Sequence, residues 1–373
     1  MRWSEPATSS EDLLGRAPRP ADHAAIRHWV RGQSIVVTGG GGSIGAELCR
    51  QCAVHGARRV TVVDIDEGAL LRIDAELRGS HPGVECIPVL GDCGDPAVMA
   101  HALRLAAADA VFHAAAYKQV PLLEGQLREA VRNNVLATEV VLHASQAARV
   151  ETFVLISTDK AVDPVNVLGA SKRLAEMLCQ VQEPASATRM LLVRFGNVLD
   201  SAGSVVPLFR EQIRRGGPVT VTHPEVTRYF MTIPEASLLI LQAATLGAPQ
   251  ALYTLDMGKP VPIRLLAERM VRSAGKQPGI DVAIEYIGLR PGERLHETLF
   301  HADERYRPTR YPDILQATPR MVPPARVAQA MRSLRAGVQA YDVELLARVL
   351  REAVPEFHPL HAAAPTTLQA ALP

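Results

Sequence analysis

Ser34-Ile35-Val36-Val37-Thr38-Gly39-Gly40-Gly41-Gly42-Ser43-Ile44-Gly45 decides the fold. Its first five residues are an apolar, β-branched run of the kind that forms a buried strand. A glycine-rich turn follows, and a helical pattern continues from Ala46 to Val54. Glycines 39, 42 and 45 stand at G-x-x-G-x-x-G spacing. Without a Cβ, the backbone can turn sharply and let a pyrophosphate reach the free N–H groups at the helix start, where the dipole favours an anion. Flexible loops also contain glycine clusters. The strand before and the helix after favour a dinucleotide site built from Gly39, Gly42, Ser43, Ile44 and Gly45.

A second strand, Val60–Val63, ends at Asp64, about the offset at which an acidic residue meets the adenosine ribose hydroxyls. A carboxylate there repels a 2′-phosphate and favours NAD over NADP, with Arg58, Arg59 and Arg72 as the opposing signal. Asp64 also suits the N-cap of a helix from Glu67. A third strand, Val84–Leu90, leads to Asp92, which either accepts from the adenine amino group or caps the helix beginning near Asp95-Pro96. After a fourth strand, Ala110–His113, come Ala114, Ala115 and Ala116. Their small size lets a flat cofactor lie against the backbone, or serves helix–sheet packing alone. A helix from about Leu127 to Ala148 carries Asn133 and Asn134, which need partners if buried.

The fifth strand, Phe153–Ile156, delivers Ser157-Thr158-Asp159-Lys160 at its carboxyl end, where α/β sheets place their ligands. Lys172 rises from a helix spanning roughly 165–181, and Met190–Phe195 reads as the sixth strand. A surface ion pair is the plain alternative for Asp159-Lys160. The strand–helix rhythm predicts an α/β fold, a doubly wound parallel (Rossmann) sheet over 33–195. Beyond Gly196, proline and glycine punctuate the chain and arginines accumulate, predicting a smaller substrate-binding lobe over 196–350, with 251–258 returning to the sheet. Residues 1–32 read as an N-terminal extension in which the Glu11–Arg16 stretch docks while the rest is mobile. Residues 351–373 read as a tail, alanine- and proline-rich and loosely ordered after about Pro355.

Hydrophobic residues make up 47% of the 373, enough for a sizeable core. Aromatics at 4% and a net charge of +1 argue against nucleic acid, which leaves a small molecule as the expected partner. Five scattered cysteines without a secretory signal suggest reduced thiols and a cytoplasmic protein. Cys49 and Cys52 have redox-motif spacing, but their helical context favours packing, and with no second Cys/His pair no metal is expected. The uncharged stretch 236–255 is long enough to raise a membrane span. Gly247-Ala248-Pro249-Gln250 divides it into helix, turn and strand, so no membrane insertion is expected.

Taken together, the glycine loop, Asp64, the small-residue turn and the Thr158/Lys172 pair resemble the extended short-chain dehydrogenase/reductases. Five strings narrow the resemblance: 114–124 (AAAYKQVPLLE), 157–164 (STDKAVDP), 194–198 (RFGNV), 227–231 (TRYFM) and 289–293 (LRPGE). They look like the polysaccharide-biosynthesis branch, the UDP-N-acetylglucosamine 4,6-dehydratases, over roughly Asp12–Phe300. The resemblance implies bound NAD, a UDP-amino-sugar substrate, a 4-keto-6-deoxy product and a homodimer or larger oligomer. By this likeness Thr158 bonds the C4 oxygen, a protonated Asp159 donates to the departing C6 hydroxyl, and Lys160 takes the C5 proton if burial lowers its pKa. A neighbouring Asp159 carboxylate would raise that pKa, so the two must be coupled or face apart.

Lys172 would hold the nicotinamide ribose. Lys118, Asn197, Arg228 and Arg290 would contact the substrate, with Val205–Phe209 near the uracil, although each arginine singly also suits a surface salt bridge. Leu168 departs from the superfamily, which usually has Tyr four residues before the Lys. The retaining subgroup has Met there, and leucine is similarly sized and equally unable to move a proton. The C4 hydroxyl proton would then fall to Asp159, Lys172 or water. Gln119 stands where relatives often have His. Longer members carry transmembrane helices ahead of the stretch resembling Asp12–Arg16, and this sequence reads as a form without them. The competing readings are a UDP-sugar epimerase, which Leu168 disfavours because an epimerase would keep the Tyr, or a 5,6-dehydratase on the same scaffold, and a catalytically silent nucleotide-binding scaffold, which the retained Thr158, Asp159, Lys160 and Lys172 disfavour.

Overall fold

Ser34–Thr38 (β1) is buried at every position, as a strand covered by helices on both faces must be. The computed structural model describes residues 13–182 and 187–360. Six parallel strands form the heart of one sheet. They are β1, Arg59–Asp64 (β2), Glu85–Leu90 (β3), Ala110–His113 (β4), Thr152–Thr158 (β5) and Arg189–Phe195 (β6), in spatial order β3-β2-β1-β4-β5-β6. The order reverses between β1 and β4, and α/β sheets bind ligands in the crevice at such a switch point. The sheet continues past β6 through Ala251–Leu255 (β11), which pairs parallel to it, and then through two antiparallel strands, Ile314–Ala317 (β15) and Tyr306–Pro308 (β14), to nine in all.

The helix read as Leu127–Ala148 is interrupted. Leu127–Ala130 and Ala137–Ala147 flank a π-helical turn, Val131–Leu136, which holds Asn133 and Asn134. π-turns of this kind often mark functional sites. Val167–Gln180 (α8) is buried nearly all round, from Val167 to Cys179, although it carries Ser171, Lys172, Arg173 and Glu176.

Behind α8 a chain of buried charges replaces apolar packing. Arg194 on β6, wholly buried, bonds Glu176 on α8 at 2.6 Å and Glu304 at 2.7 Å. Glu176 also accepts from Ser157 Oγ (2.7 Å), Arg320 joins Glu304 to Glu356, and Arg173 reaches Glu356 at 2.7 Å. The network ties the carboxyl end of β5 to a segment nearly two hundred residues later.

The smaller lobe has its own core, formed by Val206, Phe209, Val219, Phe230, Leu266 and their neighbours. Leu13 and Leu14 insert into it, and Arg16 pairs with Glu235 at 2.7 Å. Two expectations for the ends are corrected. The extension contains a helix, His23–Val30, capped by Asp22 and anchored by fully buried Ile26 and Val30. The tail is not loose up to residue 360: a helix spans Val343–Ala353, Val354 and Phe357 are buried, and His358 and Leu360 donate backbone bonds to Pro164 and Val165. Residues 1–12 of the extension, with Glu11 and Asp12 of the stretch expected to dock, and residues 361–373 of the tail lie outside the described residues. Cys49 and Cys52 are buried, unpaired packing residues. Within the stretch 236–255, the helix Ile233–Ala244 and β11 are separated by a turn.

Candidate active site

A cleft of about 830 Å³ opens along the carboxyl ends of the strands. It is lined at one end by Gly39, Gly42, Ser43, Ile44, Gly45 and Ala114, in the middle by Thr158, Lys160, Leu168 and Lys172, and at the other end by Lys118, Asn197, Val205, Arg228 and Arg290. Chain segments separated by about 250 residues thus meet at one surface. Asp64, Asp92, Ala115 and Asp159 are not part of its wall, and the Asp159 side chain is buried behind Thr158 and Lys160.

The glycine loop has no room for side chains. A Cβ on Gly45 would lie 2.0 Å from the Gly39 carbonyl oxygen, and one on Gly39 would lie 2.6 Å from Ala115 Cα. Gly39 also has φ +65°, which favours glycine. Asp64 caps no helix. One of its oxygens accepts from Gly41 N at 2.8 Å and the other from Asp66 N at 2.9 Å, while Asp66 caps the helix from Glu67. Asp92 is likewise not the cap, which is Asp95. It bonds Gly94 N and pairs with Arg132 at 2.9 Å.

Asn134 holds the floor of the cleft. Its side chain bonds both Tyr117 N and Tyr117 O and donates to Ser171 Oγ at 3.1 Å, so the π-turn fixes both the small-residue turn and the start of α8. Next to it, Thr138 donates to Asn134 O and therefore accepts from His113 Nε2 at 2.9 Å. Thr38 completes this buried set at His113 Nδ1 (2.7 Å). Burial, and then the nearby Lys172, push His113 down to about 3, so the ring is neutral at physiological pH. Asn166 caps α8 by accepting from Gly169 N and also donates to Gly292 O at 2.9 Å, linking the lobe loop that carries Arg290 to that helix.

Asp159, Lys160 and Lys172 are the reactive groups. Lys172 is buried and forms no hydrogen bond or ion pair with a described residue, and burial lowers it to about 8. Asp159 Oδ1 accepts from Thr158 Oγ1 (2.9 Å) and Lys160 Nζ (3.0 Å). Its other oxygen is buried without a partner among the described residues and lies against Gly196, where a Cβ would come within 2.9 Å of it. Burial raises the Asp159 pKa despite the lysine. For Lys160 the expected lowering is corrected: burial pulls it down, but the carboxylates of Asp159 and Glu297 outweigh burial and hold it above the ordinary lysine value. Asp159 and Lys160 are therefore coupled, not facing apart.

Glu297 was not among the residues singled out from sequence. It is nearly buried, 3.4 Å from Lys160 Nζ and 3.6 Å from Arg228 Nε. The only sequence signal is its place four residues beyond the Leu289–Glu293 string. Arg228 is buried and donates to the carbonyls of Thr227 and Leu295, whereas Arg290 is exposed at the rim and paired with Glu293 at 2.6 Å. Burial lowers Lys118 from the ordinary lysine value. The stretch Val205–Phe209 divides by helical periodicity: Val205 and Leu208 face the cleft, while Val206 and Phe209 are in the lobe core. No group of three or more His, Cys, Asp or Glu side chains among the described residues could hold a metal ion.

The doubly wound sheet, the glycine loop and the lysine-bearing helix define an extended short-chain dehydrogenase/reductase. Within that class the chain belongs to the polysaccharide-biosynthesis family, whose family model, "Polysaccharide biosynthesis protein", matches residues 35–319. It is 48% identical over 296 residues to the capsular polysaccharide biosynthesis protein CapD of Staphylococcus aureus, covering 79% of this chain and 49% of that one. It is 44% identical over 307 residues to the probable polysaccharide biosynthesis protein EpsC of Bacillus subtilis, covering 82% and 51%. The chain thus spans about half the length of these curated relatives. Among solved structures it is similar to Pen from Bacillus thuringiensis, with TM-score 0.71, 29% identity, and 79% and 89% coverage. No helix among the described residues is long and apolar enough to cross a membrane.

Proposed function

We propose that the protein catalyses the NAD-dependent 4,6-dehydration of a UDP-N-acetylhexosamine, UDP-N-acetylglucosamine in the first instance, to the 4-keto-6-deoxy sugar with retention at C5. The observation that carries this reading is the buried Asp159–Lys160 pair at the carboxyl end of β5, coupled at 3.0 Å. With a proton on Asp159 and Lys160 neutral, the site would hold an acid and an amine base side by side, which is what expelling the C6 hydroxyl and removing the C5 proton require. Thr158, which lines the cleft, would turn its hydroxyl from Asp159 to bond the C4 oxygen. Leu168 adds no proton acceptor, which disfavours an epimerase mechanism built on a tyrosine at that position.

NAD, when bound, would supply reversible oxidation at C4 and reduction at C6. The glycine turn, closed to a Cβ at Gly39 and Gly45, Ser43, Ala114 and unpaired Lys172 fit it, and Asp64 and Asp92 would meet the adenosine end. Asn197, Arg228 and Arg290 would hold the diphosphate, Lys118 the sugar and Val205 the uracil, since a guanidinium fork suits phosphate oxygens.

Lys172 gives this reading a pH signature. Its ammonium is present below about 8 and lost above it. NAD affinity is therefore expected to fall several-fold between pH 7 and 9.5, and in Lys172→Arg to stay flat over that range. Calorimetric titration of NAD at four pH values checks this. An equal decline in the variant would remove Lys172 from the cofactor site.

The function itself is tested by incubating the NAD-loaded protein with UDP-N-acetylglucosamine in deuterated water. The expected product has lost water and carries deuterium at C5. An isomer of unchanged elemental composition would instead make the protein an epimerase. Unchanged substrate across UDP-amino-sugars would leave a nucleotide-binding scaffold.

A further inference from the structure

Glu297 lies in the loop after Leu289–Glu293, and its side chain is only 5% exposed. A carboxylate is not buried in a cleft wall without compensation, and here two cations supply it, Lys160 at 3.4 Å and Arg228 at 3.6 Å. Burial pushes the Glu297 carboxyl up, but Lys160, Arg228 and Arg294 outweigh it and hold it below the usual carboxylate range, so it is a fixed negative charge. Four groups face Lys160 Nζ from four parts of the chain: Asp159 from its own turn, Asn197 Oδ1 at 3.3 Å, Glu297, and Arg228 across Glu297.

We propose that Glu297 is a positioning residue that couples Arg228, the arginine for the substrate's diphosphate, to Lys160, the base for the C5 proton. The inference rests on the function proposed above. In that reaction Lys160 first passes its proton to Asp159 across their 3.0 Å contact; the C5–H bond then breaks, its electron pair enters the C4 ketone, and the proton goes to the neutral Lys160 Nζ. The C5–C6 double bond then forms as the C6–O bond breaks, and the proton of Asp159 leaves with the hydroxyl as water. Lys160 finishes as an ammonium between two carboxylates. Glu297 stabilises that ammonium and aims Nζ. Because the same carboxylate holds Arg228, a diphosphate engaging Arg228 and a base aimed at C5 are set by one side chain.

The test is Glu297→Gln, read in two ways. The chain has only five lysines, so Lys160 can be followed by carbon NMR of ¹³C-labelled lysine and assigned with Lys160→Arg. Lys160 is expected to hold its proton to higher pH in the wild type than in the variant, where loss of the Glu297 charge lowers its proton affinity by about tenfold or more. In turnover, kcat is expected to fall tenfold or more while KM for the UDP-sugar changes less than threefold, with the rising limb of the pH profile moved to lower pH. Glu297→Asp keeps the charge and is expected to restore the ammonium signature, which also covers a glutamine variant that folds poorly. An unmoved Lys160 titration, or a loss confined to KM at an unmoved pH profile, would overturn the proposal. If the wild type makes no product from UDP-N-acetylglucosamine, the reading of the function fails, and the lysine titration alone still decides the coupling.

Discussion

Asp159→Asn is expected to cut formation of the 4-keto-6-deoxy sugar by roughly 10²- to 10⁴-fold, the range that a positioned proton donor supplies. The amide is nearly isosteric. Its oxygen can still accept from Thr158 and Lys160, which now both bond one atom of the carboxylate. It has no acidic proton to release with the C6 hydroxyl, and without the negative charge Lys160 retains only Glu297 as a close anion. Affinities for NAD and UDP should stay within about threefold, because Asp159 lines neither the glycine loop nor the arginine end. Mass spectrometry of the product with calorimetry of the two ligands checks both halves. Turnover near the wild-type rate in the variant would remove the proton-donor role. Loss of UDP binding would mean that Asp159 shapes the cleft instead.

Arg194→Met is expected to have the largest effect on stability. The guanidinium is fully buried and bridges Glu176 and Glu304, each also without solvent exposure. Removing one partner of a buried pair leaves uncompensated charge, a loss of about 3–5 kcal/mol in known cases. Both carboxylates would lose their nearest cation here, while Glu304 keeps Arg320 at 3.0 Å and Glu176 keeps Arg173 at 3.4 Å, so a loss within that range is expected. Arg194→Lys should recover little, because one ammonium cannot span both carboxylates as the planar fork does. Urea unfolding of the variants, and of Arg194→Met combined with Glu176→Met, measures this. The double variant should regain part of the loss, since replacing buried ions by apolar side chains is often close to neutral. An Arg194→Met protein as stable as the wild type would show that the network adds nothing to stability.

The parts of this architecture that could be read from sequence are those specified by neighbours along the chain. Strand β1, the glycine turn and the helix after it declare themselves within twenty residues, because burial on both faces demands an unbroken apolar run and the turn tolerates no Cβ. The helix at His23–Val30 escaped notice because only Ile26 and Val30 are fully buried among its charged and aromatic neighbours. Asp64 and Asp92 invited a capping reading that belongs to Asp66 and Asp95, since every aspartate near a helix start carries the same local signal. The charge state of Lys160 was beyond sequence for a different reason. Burial alone lowers a lysine, Asp159 raises it, and a second raising carboxylate, Glu297, arrives from 137 positions away. The cleft gathers candidate residues from both halves of the chain, from Gly39 to Arg290.

The wide turn at Val131–Leu136 makes this part of the chain intolerant of length changes. Asn134 within it grips Tyr117 and Ser171, while Thr138, just past it, meets His113 under the sheet. Each residue of an α-helix advances the facing direction by about 100°, so deleting one residue here would give a regular helix whose two contacts no longer point at their targets together. Insertions and deletions in descendants of this chain should therefore collect in its surface loops and spare these six positions, even though a shorter, tidier helix would be the easier one to fold.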